Sequence, residues 1–291
     1  MDDERLRLAR EVIGDVDREM ASLFERRMDA ARDIAAYKRE RGLPVLDAAQ
    51  ERAVIGRNLA CIDRDELRGL YARFLTQLMD ISKTYQRRLM DGMRVACGGA
   101  GGTPAHTAAR RIFPDAEAVS CADCRAAYEA VERGGCDVCV LPVEDGGAGE
   151  AGRVIDLMFD GSLHVTGVYA LPVRHDPPGG TMRFAVFSRA ENGLVPARAA
   201  GFMLLFTVND EAGALAQAMG VIGRHGFSAR VLRSRPMEDL PGRCCFLAEI
   251  EGDDRGEAGR AMLDALAAHC HSLKIAGRFG PEIRLEEAEE A

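Results

Sequence analysis

Apolar residues in the first third of the chain recur at steps of three and four: Ile13, Val16, Met20, Leu23, Phe24, Ala31 and Ile34. That period predicts one long amphipathic helix over about 4–40, stopped by Gly42 and Pro44. A second helix is expected over about 47–58, opened by Asp47 as its N-cap. A third is expected over about 63–90, carrying Leu67, Leu70, Tyr71, Phe74, Leu78 and Ile81. Asp91-Gly92 closes this all-helical block.

The pattern then changes to alternating strands and helices. MRVACGG reads as a strand entering a glycine-rich turn and HTAARRIF as a helix. A helix at about 122–133, the strand CDVCVLPV and a helix at about 151–159 follow, which is an α/β arrangement. RHDPPGGT (174–181) is a turn-rich break. From residue 201 the order is strand GFMLLFTV, a helix from Asp210, strands FSARVLRS and RCCFLAEI, a helix over about 255–270 and strand LKIAGRF. This βαββαβ order predicts a ferredoxin-like module. The acidic end LEEAEEA reads as frayed. The boundaries give three domains, 1–92, 93–192 and 199–285.

Composition narrows the function. At 291 residues, 47% hydrophobic and 29% charged, the chain is ordinary globular material without an apolar run long enough to span a membrane. The charged N-terminus has no signal core, so a cytoplasmic protein is expected. A net charge of −8 leaves no excess of cations for nucleic acid. Only three of the 38 basic residues are lysines, Lys38, Lys83 and Lys274, which asks at each why arginine was not used. Cys121-x-x-Cys124 and Cys136-x-x-Cys139 have zinc-like spacing. If CDVCVLPV is a strand throughout, however, Cys136 and Cys139 face opposite sides, and buried free thiols are expected instead of a metal site.

The polar residues of the helical block carry the candidate chemistry. Arg27 and Lys38 lie about 20° apart on one helix face, whereas Arg10 lies about 100° away. Asp47 and Glu51 share a face at i and i+4, as do Ser82 and Gln86. Charges beside an apolar stripe are costly unless something pairs with them.

These seven residues, in this order on three helices, resemble the all-helical chorismate mutases. The resemblance implies that Arg10, Arg27, Lys38, Asp47, Glu51, Ser82 and Gln86 line a site for chorismate. It also implies that no metal or cofactor is needed, and that two chains interlock so that Arg10 serves its partner's pocket. Where that family commonly has arginine directly before the glutamate, this chain has Gln50.

GGTPAHTAAR, LPVEDGGAG and MRFAVFSR resemble the motifs of prephenate dehydratases. Ala105 replaces a serine, Asp145 an asparagine, and Met182 stands where the catalytic threonine belongs, with Thr181 shifted by one. A second lobe is missing between His175 and Thr181, so a partial, inactive dehydratase-like lobe is expected. The last module resembles an ACT domain. Gly213, Ala214 and Leu215, with Ser234, Arg235 and Pro236, match its effector-binding elements and imply a phenylalanine effector. The readings left open are an active mutase/dehydratase, an isochorismate-pyruvate lyase and a non-catalytic sensor of aromatic amino acids.

Overall fold

The computed structural model describes residues 3–46, 48–144, 150–173, 180–190, 199–208, 211–236 and 244–286. The chain divides into two compact units, Met1–Gly92 and Met93–Ala291.

The first unit is three helices, α1 (Asp3–Glu40), α2 (Ala48–Leu59) and α3 (Asp65–Asp91). Acidic Asp3 and Glu4 at the start of α1, and Lys38 and Arg39 at its end, complement the helix dipole. At 1.5 Å per residue α1 is about 57 Å long, too long for its short neighbours to cover. Only Ala31 and Ala35 are buried on α1, while Val12, Ile13 and Leu23 of its apolar stripe are each more than half exposed. On α3 the buried residues are Leu75, Met79, Ser82 and Gln86. Asp47, expected to cap α2, lies outside the described residues.

The second unit is built on one continuous sheet. Its elements are β1 (Arg94–Gly98), α4 (Pro104–Ile112), β2 (Glu117–Cys121), α5 (Cys124–Glu132), β3 (Val138–Glu144), α6 (Glu150–Asp160), β4 (His164–Val173) and β5 (Gly180–Ser188). Then come β6 (Gly201–Val208), α7 (Ala214–Arg224), β7 (Ser228–Pro236), β8 (Cys244–Glu251), α8 (Glu257–Ala267), β9 (Ser272–Phe279) and β10 (Ile283–Arg284). The strand order is β2-β1-β3-β5-β4-β9-β6-β8-β7, with β10 on β4. The β2-β1-β3 end is parallel, and β3, β5 and β4 then pair antiparallel.

The segments expected as separate domains, 93–192 and 199–285, share this sheet. They join on β4, where β9 pairs at Val165 with Gly277 and β10 pairs at Tyr169 with Ile283 and at Ala170 with Arg284. A Cβ at Gly277 would stand 2.2 Å from the Val165 carbonyl oxygen, so only glycine permits that approach. Alternation along β6 serves two cores. Met203 and Leu205 pack with Val154, Leu157 and Met158 of α6. Phe202, Leu204 and Phe206 pack with residues of α7 and α8.

Several sequence expectations change. Strands β2, β4 and β10 were not foreseen. The helix expected from Asp210 begins at Ala214, with Gly213 as its N-cap at φ +89°. Leu285, expected to fray, is buried, and its N–H donates to the Ala170 carbonyl. Strand β3 begins only at Val138, so Cys136 precedes it, and Cys136 and Cys139 enter the same core rather than opposite faces. Burial pushes the Cys136 thiol up to about 11. Among the described residues no group of three or more potential ligands is arranged to hold a metal.

Candidate functional site

Helices α1 and α3 bring polar residues together where a core would otherwise form. Arg27 on α1 donates through Nη1 to the Ser82 hydroxyl and, at 3.4 Å, to the Leu78 carbonyl on α3. Burial lowers the Arg27 guanidinium from its ordinary value. Among the described residues no carboxylate pairs with it. One turn beyond Ser82, Gln86 is 8% exposed, and its Oε1 is the one buried side-chain N or O atom with no hydrogen-bond partner among the described residues. An unmatched buried polar atom costs about 1–3 kcal/mol, a cost removed when a ligand supplies the partner.

Lys38, at the end of α1, donates to the Val45 carbonyl at 2.6 Å, in the connection to α2. It has no carboxylate partner among the described residues either. Glu51 is half-buried on α2, and its Oε1 lies 3.2 Å from the Lys83 ammonium of α3. Lys83 also holds Asp80 at 2.8 Å. Burial alone would lower the Lys83 ammonium, but hydrogen bonds to Asp80 and Glu51 outweigh it and raise it. The sequence reading missed Lys83 as a partner of Glu51. The signal available was its rarity as a lysine.

Arg27, Ser82 and Gln86 thus gather between α1 and α3, while Glu51 meets α3 through Lys83 and Lys38 turns to the α1–α2 connection. Arg10 does not join them. It is exposed, seventeen residues before Arg27, about 26 Å away along the helix. Asp47 lies outside the described residues. Beside Arg27 is a cleft of about 640 Å³ lined by Met20, Leu23 and Phe24 of α1 and Tyr71, Phe74 and Ile81 of α3.

In the second unit the dehydratase-like motifs are tied to one another. Arg183 of β5 forms a two-pronged pair with Glu249 of β8 at 2.9 and 2.8 Å. It also bonds Glu282 at 2.7 Å and Glu144 of β3 at 3.3 Å. Burial pulls its guanidinium down, but hydrogen bonds and charge from Glu249 and Glu282 outweigh it and hold the group well above arginine's ordinary value. The other Glu144 oxygen meets Arg233 at 3.1 Å. Ala105 is buried, Met182 half-buried and Thr181 exposed. Asp145 and His175 lie outside the described residues.

The expected effector residues occupy one end of the sheet. Register places Val208, Cys244 and Pro236 side by side, so the exit of β6 toward Gly213 lies about 10 Å from the end of β7. Gly213 is exposed, and Ala214 and Leu215 are half-buried. Ser234 is exposed, while Arg235 alternates to the opposite face and pairs with Asp156 of α6 at 2.9 Å.

Comparison with known proteins agrees with this division. The chorismate mutase type II family profile matches residues 9–87, and the prephenate dehydratase profile matches residues 95–176. The bifunctional chorismate mutase/prephenate dehydratase of Enterobacter agglomerans is 22% identical over 378 aligned positions, covering 96% of this chain and 97% of that protein. The alignment is longer than the chain's 291 residues, so part of that enzyme has no counterpart here. Arogenate dehydratase/prephenate dehydratase 2 of Arabidopsis thaliana is 41% identical over 83 residues, 28% of this chain. The chain spans only 22% of that protein's length.

Among solved structures, the quorum quenching acylase GqqA matches with a TM-score of 0.57 at 25% identity, over 64% of this chain and 94% of its own. The prephenate dehydratase of Arthrobacter aurescens, solved with L-Phe, also matches with a TM-score of 0.57, at 16% identity over 65% of this chain and 90% of its own. The chain carries a chorismate mutase type II domain followed by prephenate dehydratase-type sequence, in the order of the bifunctional homologue.

Proposed function

We propose that the helical unit rearranges chorismate to prephenate and that the second unit regulates it without dehydrating prephenate. The observation that carries the mutase reading is the polar set between α1 and α3. Arg27 has no carboxylate partner among the described residues, and it is bonded to buried Ser82, one turn from a Gln86 whose Oε1 lacks a partner. Chorismate is a dianion whose rearrangement is pericyclic, with no nucleophile and no proton transfer. The site must hold a compact conformer and stabilise charge growing on the breaking ether oxygen. Arg27 suits a carboxylate, and the Lys38 ammonium and the Nε2–H of Gln86 suit the ether oxygen, while the Gln86 Oε1 is free to accept from a ligand hydroxyl. Glu51 and Asp47 orient the ring hydroxyl and the nearby cations. About 8 kcal/mol of such stabilisation gives roughly a millionfold acceleration.

The working form is a homodimer. The exposed stripe of α1 and the apolar cleft beside Arg27 call for a second copy, and Arg10, about 26 Å from Arg27, reaches a pocket only in that partner. Arg10→Ala and Arg27→Ala homodimers are then both poor enzymes. Co-refolding them recovers activity, because one pocket of each heterodimer keeps both arginines. A mixture no better than its parents, despite proven subunit exchange, refutes the shared site.

The lobe is read as an inactive dehydratase because Met182 occupies the threonine position, a stretch of the full-length homologue is absent, and Arg183 and Glu144 are committed to ion pairs. The βαββαβ segment is read as an ACT module with phenylalanine as effector. Its strand order, the positions of Gly213 and Ser234, and the L-Phe complex of the Arthrobacter aurescens relative support that reading.

A further inference from the structure

Helix α2 carries Glu51 but has little to hold it. The described side chains on its twelve residues are at most half-buried, Val54, Ile55 and Leu59 among them, so packing alone holds the Glu51 side chain loosely. A glutamate has three side-chain torsions, and a carboxylate used to orient a ligand hydroxyl must have them settled before the ligand arrives. In this structure Lys83 supplies that restraint. Its Nζ touches both Glu51 oxygens, at 3.2 and 3.4 Å, and is anchored from its other side by Asp80 at 2.8 Å. Lys83 is itself well shielded, at 19% exposure. It lies three residues before Gln86, on a neighbouring part of the same helix surface.

An ammonium suits this place better than a guanidinium. It is compact, and its three donors point in separate directions, so one can serve Asp80 on its own helix while another serves Glu51 on the next. In a chain with three lysines among 38 basic residues, that geometry accounts for the choice. We infer that Lys83 is a positioning residue for the mutase site: it holds the Glu51 carboxylate toward the ligand and does not itself touch the substrate.

This assignment rests on the mutase reading, and the experiment separates the two. Chorismate turnover is measured for wild type, Lys83→Met, Lys83→Arg, Glu51→Gln and the Lys83→Met/Glu51→Gln double variant, with thermal melts of each. Lys83→Met lowers kcat/KM about tenfold, or about 1.4 kcal/mol of barrier. Lys83→Arg, which keeps the charge and guards against a misfolded Met variant, recovers part of that loss. In the Glu51→Gln background Lys83→Met does not lower activity further, because the group it positions is gone. A merely structural lysine would lower both backgrounds equally, and that additive result overturns the assignment alone. A folded wild-type chain without turnover overturns the mutase reading and the assignment with it.

Discussion

Replacing Arg183 by methionine tests whether the arginine of the dehydratase-like strand now serves the fold. The change strands Glu249, whose side chain is 5% exposed, and among the described residues leaves the well-shielded Glu282 with only a distant contact to Arg230 at 3.7 Å. Breaking a buried pair by removing one member costs about 3–5 kcal/mol, since an uncompensated charge stays in the interior. For a unit of this size each kcal/mol lowers Tm by about 2–4 °C, so the transition of the second unit should fall by about 6–20 °C. Scanning calorimetry reads it directly. Adding Glu249→Leu should return at least half of the loss, because two apolar side chains then replace the pair. A fall under about 3 °C, or a double variant no better than the single, refutes the view that Arg183 is a structural tie.

The other expectations are simpler to read. At neutral pH the purified protein should form no phenylpyruvate from prephenate above the uncatalysed rate, and enzyme-dependent product there would mean that the lobe retains a working site. Phenylalanine at about a hundred times its Kd should raise Tm by several degrees, equivalent to about 2.7 kcal/mol. Ser234→Trp should abolish that shift. Gly213 is the poorer place for the same test, since its φ of +89° strains any side chain. Burial, with Lys274 and Arg278 nearby, lowers His164 from its ordinary 6.5. The unfolded chain therefore binds the proton more readily, so stability is full above the ordinary value and is lost as pH falls through the lowered one. Tm should drop on acidification below about pH 6.5, and less steeply in His164→Gln.

Helices α1 and α3 were legible because their apolar period runs over many turns, and Arg27 and Lys38 stood out as charges beside the apolar stripe, whereas Ser82 and Gln86 were marked by their shared helix face and the family resemblance. What escaped the sequence was set by contacts distant along the chain. The short EAVSC segment becomes β2 by pairing with β1, and Ile283–Arg284 becomes a strand only because β4 offers an edge. Cys136 was misplaced because a continuous apolar run does not reveal where a buried strand begins. Arg183 and Glu249 lie 66 residues apart, and neither shows in isolation that the other neutralises it. Lys83 and Glu51 were each visible, but their pairing depends on how α2 docks on α3.

The most direct measurement follows the loss of chorismate and the appearance of prephenate with metal-free, cofactor-free protein, comparing wild type with Arg27→Ala and Lys38→Ala variants that melt at the same temperature. Wild-type catalysis is expected, with a fall of at least a hundredfold in each variant, about 2.7 kcal/mol of lost transition-state stabilisation. Wild-type protein without turnover, or variants as active as wild type, would contradict the mutase reading.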